Sequence, residues 1–315
     1  RGKTDRTVAL RADMDALPIT EETGLPYASV FPGCMHACGH DGHMAALCGA
    51  AAILAVMRDQ LKANVKFIFQ PGEESAGGAR LMIRDGALDD VEAIFGLHGW
   101  PDLPLGVVGL RSGALMAGAQ DFFVEIEGMG SHGATPHAGI DPLVAAAHVV
   151  MALQTIVSRR INPLEAAVVT VGQLHAGSGT NIIPTVARLS GTIRAFQPET
   201  MEQLRSHIAE IVTSTARAHQ CRAGVLFGDC PYPPLINTPT MTALVNNTVT
   251  ELFGKDAIVE LDKPVMMAED FAFYLEKVPG NFFYLGLQKN GSPSDETPRL
   301  HSPRFDFPDE ALEPA

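Results

Sequence analysis

The stretch from Met35 to His43 constrains this chain more than any other, because it concentrates metal-binding side chains in a short segment. It holds one thiol, three imidazoles and a carboxylate, and a long apolar run follows it. Thiolate and imidazole are the ligands that borderline-soft divalent ions prefer. Cys38 and His40 are two residues apart, so in an extended loop both side chains can point into one pocket. The stretch predicts a metal site if matching ligands occur elsewhere; otherwise it is a loop with a buried cysteine and solvated histidines.

The glycines and the aspartate of this stretch also predict how it folds. Gly39 and Gly42 are expected to let the backbone turn tightly around an ion. Asp41 stands where a helix N-cap is expected, directly before an apolar helix predicted from residue 43 to residue 58. That helix is apolar nearly all round, which predicts that it is buried.

The composition narrows the class of protein. A length of 315 residues suggests about two domains, and a hydrophobic content of 46% is enough for a large buried core. A net charge of −13 disfavours nucleic acid and anionic membranes as partners. Five cysteines, an odd number, argue against a disulfide framework and for a reducing compartment, so a cytoplasmic location is expected. The sequence opens at Arg1 without methionine, so upstream residues, with any targeting segment, are expected to be absent from it.

In the first third of the chain, predicted strands alternate with predicted helices, as in an α/β sheet. Strands are predicted at residues 7–13, 65–69 and 93–98, with helices between them. Each strand ends at or near residues that can bind a metal or move a proton: Asp13, then Glu73 and Glu74, then His98. In such sheets, ligands gather beyond the carboxyl ends of the strands.

The pattern changes after about residue 116. Strands and helices then follow the order β-α-β-β-α-β, which is the ferredoxin-like order. We therefore predict a discontinuous α/β domain formed by residues 1–116 and 232–315, interrupted by an inserted domain at 117–231.

Glu73 and Glu74 are adjacent at a strand end, where two buried carboxylates repel each other and lose hydration. A centre with two metal ions resolves the conflict if one carboxylate binds metal and the other accepts a proton from water. An exposed acidic turn is the alternative for this pair, and a core histidine is the alternative for His98. Their coincidence with the Cys-x-His segment, and with His301 in a Leu-His-Ser-Pro segment, favours the metal site.

These motifs resemble, in order and over essentially the whole chain, a family of metal-dependent amidohydrolases in the aminoacylase/carboxypeptidase superfamily. The branch is the one that holds hippurate hydrolase, N-acetyl-amino-acid deacetylases and auxin-conjugate hydrolases. The matching segments are 11–18, 35–43, 70–74, 96–98, 267–273 and 300–301. The resemblance implies a catalytic domain of the zinc-exopeptidase type with an inserted ferredoxin-like domain that serves as a lid and dimerises.

Carried over by position, the resemblance also implies roles for single residues. The implied metal ligands are Cys38, His40, Glu74, His98 and His301, and the implied general base is Glu73. In the inserted domain, His132 is implied to polarise the scissile carbonyl, while Asn181 and Arg194 hold the substrate carboxylate. The implied cofactor is a pair of divalent ions, with Mn or Zn expected first and Ni or Co also compatible with the mixed ligand set.

The function expected from these observations is hydrolysis of the amide bond of an N-acyl amino acid by a homodimeric enzyme. A dipeptidase or carboxypeptidase with the same metal site is the main alternative. A Cys38–His40 thiol hydrolase is disfavoured because that spacing is poor for a nucleophile and its base. A binding protein that has lost catalysis would not need Glu73. Asp13 and Asp15 are expected to orient ligating imidazoles, and Glu269 and Asp270 to cap a helix.

Overall fold

The computed structural model describes residues 2–75, 77–289 and 297–313, which form two compact units. The first unit comprises Arg1–Leu115, Leu235–Pro264 and Glu269–Ala315. The second comprises Met116–Pro234 together with the short segment Val265–Ala268. The chain therefore also enters the second unit just before Glu269, a crossing that the sequence pattern did not indicate.

The strands and helices are numbered here along the chain. The strands are β1 (Thr7–Asp13), β2 (Asn64–Gln70), β3 (Val91–Pro104), β4 (Val108–Leu110), β5 (Gly113–Met116), β6 (Gly118–Glu127), β7 (Ser131–His132), β8 (Ala167–Ala176), β9 (Ile182–Ile183), β10 (Val186–Ala195), β11 (Arg222–Phe227), β12 (Leu235–Asn237), β13 (Ile258–Glu260) and β14 (Gly280–Gln288). The helices are α1 (His40–Val56), α2 (Gly78–Arg84), α3 (Pro142–Leu153), α4 (Pro198–Ala218), α5 (Pro239–Phe253) and α6 (Ala272–Leu275).

The sheet of the first unit brings the predicted strand ends together. Its order is β13-β4-β14-β3-β1-β2, and β1 pairs in parallel with both β2 and β3. Asp13 at the end of β1 is level with Gln70 at the end of β2. Arg11 pairs with Gly96 of β3, so His98 lies two residues further along, beside Asp13. Parallel pairing thus places the ends of β1 and β2 beside the middle of β3, at one side of the sheet. The prediction that the third strand ends at His98 is wrong, because β3 continues to Pro104.

The second unit is built around a four-stranded antiparallel sheet of order β11-β6-β10-β8. Alternate residues of β6 are buried, as expected for a sheet with one covered face. They pack with the buried stripe of α4, formed by Leu204, Ile208, Ile211 and Val212. The element order and strand order are ferredoxin-like, so the predicted α/β fold class with its inserted ferredoxin-like unit is confirmed.

Two helix predictions need correction. The expectation that α1 is buried all round is wrong: only its first two turns carry buried residues, while Ile53 and Val56 are 61% and 88% exposed. A uniformly apolar sequence does not show which side of a helix is covered. The Asp141-Pro142 pair also predicts the start of a helix that continues to Arg160. This helix, α3, ends at Leu153, and a separate π-helical turn occupies Ile156–Arg160. Its start is as expected, because the Asp141 carboxylate accepts the N–H groups of Leu143 and Val144.

Membrane crossing has no candidate among the described ranges, since none of their helices combines sufficient length with sufficient apolarity.

Candidate metal centre

The turn before α1 decides where the first two candidate ligands point. Gly39 is the N-cap of α1 and has φ of +83°, a conformation that residues with a side chain rarely adopt. His40 is therefore the first residue of α1 and is fully buried. The prediction that Asp41 caps the helix is wrong: Asp41 lies in the first turn, and no side chain caps α1. Its negative charge in the first turn still stabilises α1 by interacting with the positive end of the helix dipole.

Gly42 serves packing and not a turn around an ion. It lies inside α1, and a Cβ at this position would collide with the ring of Phe307. The same ring makes an edge contact with His43. Gly42 therefore lets the start of α1 pack closely against the segment that follows His301.

Two buried histidines each donate from Nδ1 to a backbone carbonyl. His40 Nδ1 lies 3.0 Å from the Asp15 carbonyl oxygen, and His98 Nδ1 lies 2.8 Å from the Gly99 carbonyl oxygen. A carbonyl oxygen only accepts, so Nδ1 carries the proton in both rings and Nε2 of the neutral ring offers a lone pair. The Nε2 of His98 lies 3.5 Å from Cys38 Sγ. Both rings thus have the tautomer that a metal ligand needs.

Asp15 fixes the Glu73–Glu74 turn through two hydrogen bonds to its backbone. Its carboxylate accepts the Glu73 N–H at 3.1 Å and the Glu74 N–H at 3.0 Å. Asp15 thereby connects the turn to His40, which donates to its carbonyl. Asp15 was expected to orient an imidazole, but its contacts with the Glu73 and Glu74 N–H groups were not predicted. Through both sets of contacts, Asp15 positions the segment of His40 and the segment of Glu73 and Glu74.

His301 reaches the same place from the far end of the chain. Its Nε2 lies 3.1 Å from Glu74 Oε1, and its backbone N–H donates to the Ala37 carbonyl at 2.7 Å. The backbone of His301 has φ of +66°, which is uncommon for a residue other than glycine. The contact with Glu74 raises the pKa of His301.

The structure brings all five predicted ligands into two overlapping groups. One group is Cys38, His40 and His98, and the other is Cys38, Glu74 and His301; within each, the ligand atoms lie within 4.8 Å of one another. Cys38 belongs to both groups. Glu73 joins His40 and Glu74 in a further group of the same dimensions.

The chemistry of these side chains fits divalent ions. Nε2 of His40 is buried and makes no hydrogen bond among the described residues, although Asp13 Oδ2 lies 3.5 Å away; a cation would give this nitrogen a partner. Burial lowers the pKa of His40, but the Asp13 carboxylate and the contacts with Asp15 raise it to about 9, so the site attracts positive charge. Burial, followed by the Glu74 carboxylate, raises the pKa of the Cys38 thiol far above its ordinary value. A bound cation would reverse that shift and favour the thiolate.

His43 is excluded as a ligand although it lies among these residues. Its Nδ1 donates to Asp13 Oδ1 at 2.6 Å, and its Nε2 accepts the Gly99 N–H at 2.8 Å. Because both ring nitrogens are used, His43 has no lone pair to offer. Asp13 is also bonded by Arg11, so the nearby group of Asp13, His40 and His43 is a hydrogen-bonded support for the site.

A buried arginine beside the site escaped the sequence analysis. Arg11 is in the middle of β1 and is hydrogen-bonded to four side chains, those of Asp13, Gln70, Glu269 and Asp270, each at 2.9 Å. Burial lowers the pKa of the guanidinium, but Glu269, Asp13 and Asp270 together raise it above its ordinary value. The signal was present, since a charged residue inside a buried strand requires partners.

The expected capping role of Glu269 and Asp270 needs correction. Glu269 does accept the Phe271 N–H at 2.9 Å, but α6 starts only at Ala272 and no side chain caps it. Both carboxylates instead meet Arg11 in the interior, where they are at most 2% exposed.

Glu73 has surroundings that differ from those of Glu74. It is 7% exposed, and burial, followed by repulsion from Glu269 and Asp270, raises its pKa well above the usual value. For Glu74, burial raises the pKa, but the contact with His301 and the hydrogen bond with Cys38 lower it overall. The two adjacent carboxylates therefore differ in proton affinity in the direction that separates a base from a ligand.

The remaining predicted residues lie in the second unit. His132 and Asn181 line one cavity of about 630 Å³, formed by the loops around β7 and β9. His132 Nδ1 accepts the Ala134 N–H at 3.0 Å, which leaves Nε2 to carry the proton of the neutral ring. Arg194 does not line this cavity; its Nη1 donates to the Met266 carbonyl at 2.8 Å.

Comparisons with known proteins support the family that the motifs predict. Residues 9–315 match the description of peptidase family M20/M25/M40. The chain is 44% identical over 305 residues to an N-acetyl-L-cysteine deacetylase of Bacillus subtilis, covering 97% of this chain and 71% of that protein. It is 42% identical over 308 residues to an IAA-amino acid hydrolase of Arabidopsis thaliana, covering 97% and 70%.

A solved structure gives the same result for the fold. The YXEP protein of Bacillus subtilis, described as a dinuclear metal-binding peptidase of the M20 family, superposes with a TM-score of 0.82 and 37% identity. The match covers 99% of this chain and 79% of that chain. The resemblance inferred from the motifs is thereby confirmed.

The two cysteines near the site provide a matched test of the ligand assignment. Cys38 is buried within both groups, whereas Cys34 is exposed four residues earlier. We expect Cys38→Ser to lower the metal content of the purified, reconstituted protein, since serine is a much poorer ligand for borderline-soft ions. Cys34→Ser should retain the metal content of the unmodified protein. Elemental analysis measures both, and equal losses would show that the wrong thiol has been assigned.

Proposed function

Because the chain belongs to peptidase family M20/M25/M40, we propose that it is a metal-dependent hydrolase that cleaves the amide bond of N-acyl amino acids. The observation that carries this proposal is the pair Glu73 and Glu74, of which one faces the candidate ligands and the other is buried beside them. A site that only bound metal would have no use for the second carboxylate.

Two divalent ions are proposed, with Cys38 contributing to both positions. His40 and His98 would complete one ligand set, and Glu74 and His301 the other. The related YXEP protein, described as dinuclear, supports the number of ions. Mn and Zn are the ions proposed first, and Ni and Co also suit this combination of nitrogen, oxygen and sulfur ligands. Bound at this position, such ions supply Lewis acidity toward water and toward the scissile carbonyl.

Glu73 is proposed as the general base. Its carboxylate accepts a proton from the attacking water and later returns it to the nitrogen of the leaving amino acid. Burial and the neighbouring carboxylates raise its pKa, which increases its affinity for that proton. Asp15 supports the reaction by fixing the backbone of Glu73 and Glu74.

The substrate class follows from the relatives and from the second unit. The names of both relatives refer to compounds in which an acyl group is joined to an amino acid. Such compounds carry a free carboxylate, which the planar guanidinium of Arg194 can bind with two parallel hydrogen bonds. Asn181, which lines a cavity with His132 and without Arg194, is proposed as a further amide donor to the carboxylate. His132 is proposed to donate to the carbonyl oxygen as negative charge develops there.

A second copy of this chain is proposed as the partner of the second unit. The outer face of α3 exposes Leu143, Val144 and Met151, and β8 is an edge strand of its sheet. An exposed apolar helix face beside a strand with one unpaired edge is suited to pairing with its own copy. Sedimentation equilibrium tests this: a dimer is expected, which Met151→Glu should weaken, and a monomer at micromolar concentrations would contradict the proposal.

The catalytic prediction compares the two adjacent glutamates. Glu73→Gln should keep the metal content and lower kcat by about 10²- to 10⁴-fold, because it removes the proton acceptor. Glu74→Gln should lower the metal content as well, because it removes a ligand. Steady-state kinetics on an N-acyl amino acid and elemental analysis give the two readouts. A Glu73→Gln variant that retains most of its activity would contradict the mechanism.

The substrate prediction uses the free carboxylate. Arg194→Ala should raise KM for a free-acid substrate by roughly 10- to 150-fold, the equivalent of a charge-assisted interaction of about 1.5–3 kcal/mol. It should have little effect on the same substrate with its carboxylate converted to an amide. Equal losses on the two substrates would show that Arg194 does not bind the carboxylate, and a peptide substrate bound in another way would then explain the site better.

A further inference from the structure

A second group of buried charges adjoins the candidate metal centre without belonging to its ligands. We name it the Arg11 cluster, and it consists of Arg11, Asp13, Gln70, Glu269 and Asp270. Nη2 of Arg11 donates to both Glu269 Oε1 and Asp270 Oδ1 at 2.9 Å, and Nη1 donates to Asp13 Oδ2 at 2.9 Å. The guanidinium fills the space between three carboxylates that would otherwise repel one another.

Asp270 holds both ends of the segment that carries Glu73. Its carboxylate accepts from Nε2 of Gln70 at 2.8 Å, and Gln70 is the last residue of β2. It also accepts the N–H of Ala79, the second residue of α2, at 2.9 Å. Glu73 lies between Gln70 and Ala79 in the chain. The Asp270 carboxylate therefore anchors the segment that carries Glu73 on both sides.

Asp270 also contacts Glu73 directly. Its backbone N–H points at Glu73 Oε1 at a distance of 3.4 Å. One oxygen from each of Glu73, Glu269 and Asp270 lies within 4.8 Å of the others. Asp270 therefore meets the base itself as well as both ends of its segment, whereas Glu74 is directed toward Cys38 and His301.

We propose that Asp270 is a positioning residue for Glu73, and that Arg11 and Glu269 hold Asp270 in place for this task. The proposal rests on the function proposed above, in which Glu73 is the base. Glu269 and Asp270 are the first two residues of the first unit after the short segment Val265–Ala268 of the second unit, and Arg11 binds both. Arg11 therefore fixes the chain where it re-enters the first unit.

The test is Asp270→Asn, which preserves size but replaces one accepting oxygen with a donating amide. Three groups donate to the Asp270 carboxylate: Gln70 Nε2, Arg11 Nη2 and the Ala79 N–H. The substitution weakens these hydrogen bonds while the side chain keeps its volume. We expect kcat to fall by about 10- to 100-fold, the effect of a small misplacement of a catalytic group, with KM changed less than about twofold. The metal content should stay the same.

A double-mutant cycle separates positioning from general damage. If Asp270 acts through Glu73, then Glu73→Gln combined with Asp270→Asn should be no slower than Glu73→Gln alone. An additive loss would overturn the proposal. If the Glu73→Gln rate is below detection, Glu73→Asp serves as the background, because it keeps a carboxylate but withdraws it from the Asp270 N–H.

The matched control is Thr242→Val, which removes a buried hydrogen bond from Asn281 Nδ2 outside the cluster. It should lower Tm and leave kcat unchanged in every background. An Asp270→Asn variant that behaves in this way would show a purely structural role and overturn the proposal. If Asp270→Asn does not fold, Glu269→Gln, which keeps the oxygen that accepts from Arg11, should show the same non-additive pattern with a smaller loss.

The outcomes also distinguish this proposal from the one on which it rests. An active Glu73→Gln variant would contradict the proposed function. An inactive Glu73→Gln variant with an additive Asp270→Asn loss would contradict only the positioning role.

Discussion

The concentration of buried negative charge at one edge of a sheet is the constraint on which the rest of the first unit depends. Asp13, Glu73, Glu269 and Asp270 are all less than a tenth exposed, and among the described residues Arg11 is the one buried arginine or lysine that faces them. Desolvated carboxylates are tolerated when they are paired with cations and hydrogen-bonded. One guanidinium cannot balance four carboxylates, so the proposed metal ions complete the charge balance as well as the chemistry.

The sheet topology explains why these charges meet. Parallel pairing of β1 with β2 and β3 aligns the ends of β1 and β2 with His98 in the middle of β3. The segments that follow β1 and β2 carry the other candidate ligands and the base. Hydrogen bonds then fix the ligands: carbonyl oxygens orient His40 and His98, and Asp15 fixes the Glu73–Glu74 turn. The result is a site whose donors are oriented before any ion binds, and such preorganisation favours both binding and catalysis.

Local patterns predicted what depends on neighbouring residues. The Cys-x-His segment, the adjacent glutamates and the ferredoxin-like order of the second unit are all readable within short stretches of sequence. The Arg11 cluster was not readable in this way, because it joins residues about 258 positions apart in the chain, and pairings of that kind are set by the packed fold. The same holds for the helix start: Asp41 matched a capping pattern, but the left-handed conformation of Gly39 made His40 the first helical residue. The exposure of Ile53 and Val56 likewise depends on what covers α1, which its own sequence does not specify.

The most direct test of this account is a metal titration of the metal-free protein with Mn²⁺, followed by hydrolysis of an N-acyl amino acid such as N-acetyl-L-cysteine. The account predicts negligible turnover without added metal and a rate that rises until two ions are bound per chain. Full turnover by the metal-free protein, or a rate that reaches its plateau at one ion per chain, would contradict the proposal that two ions sharing Cys38 form the reactive centre.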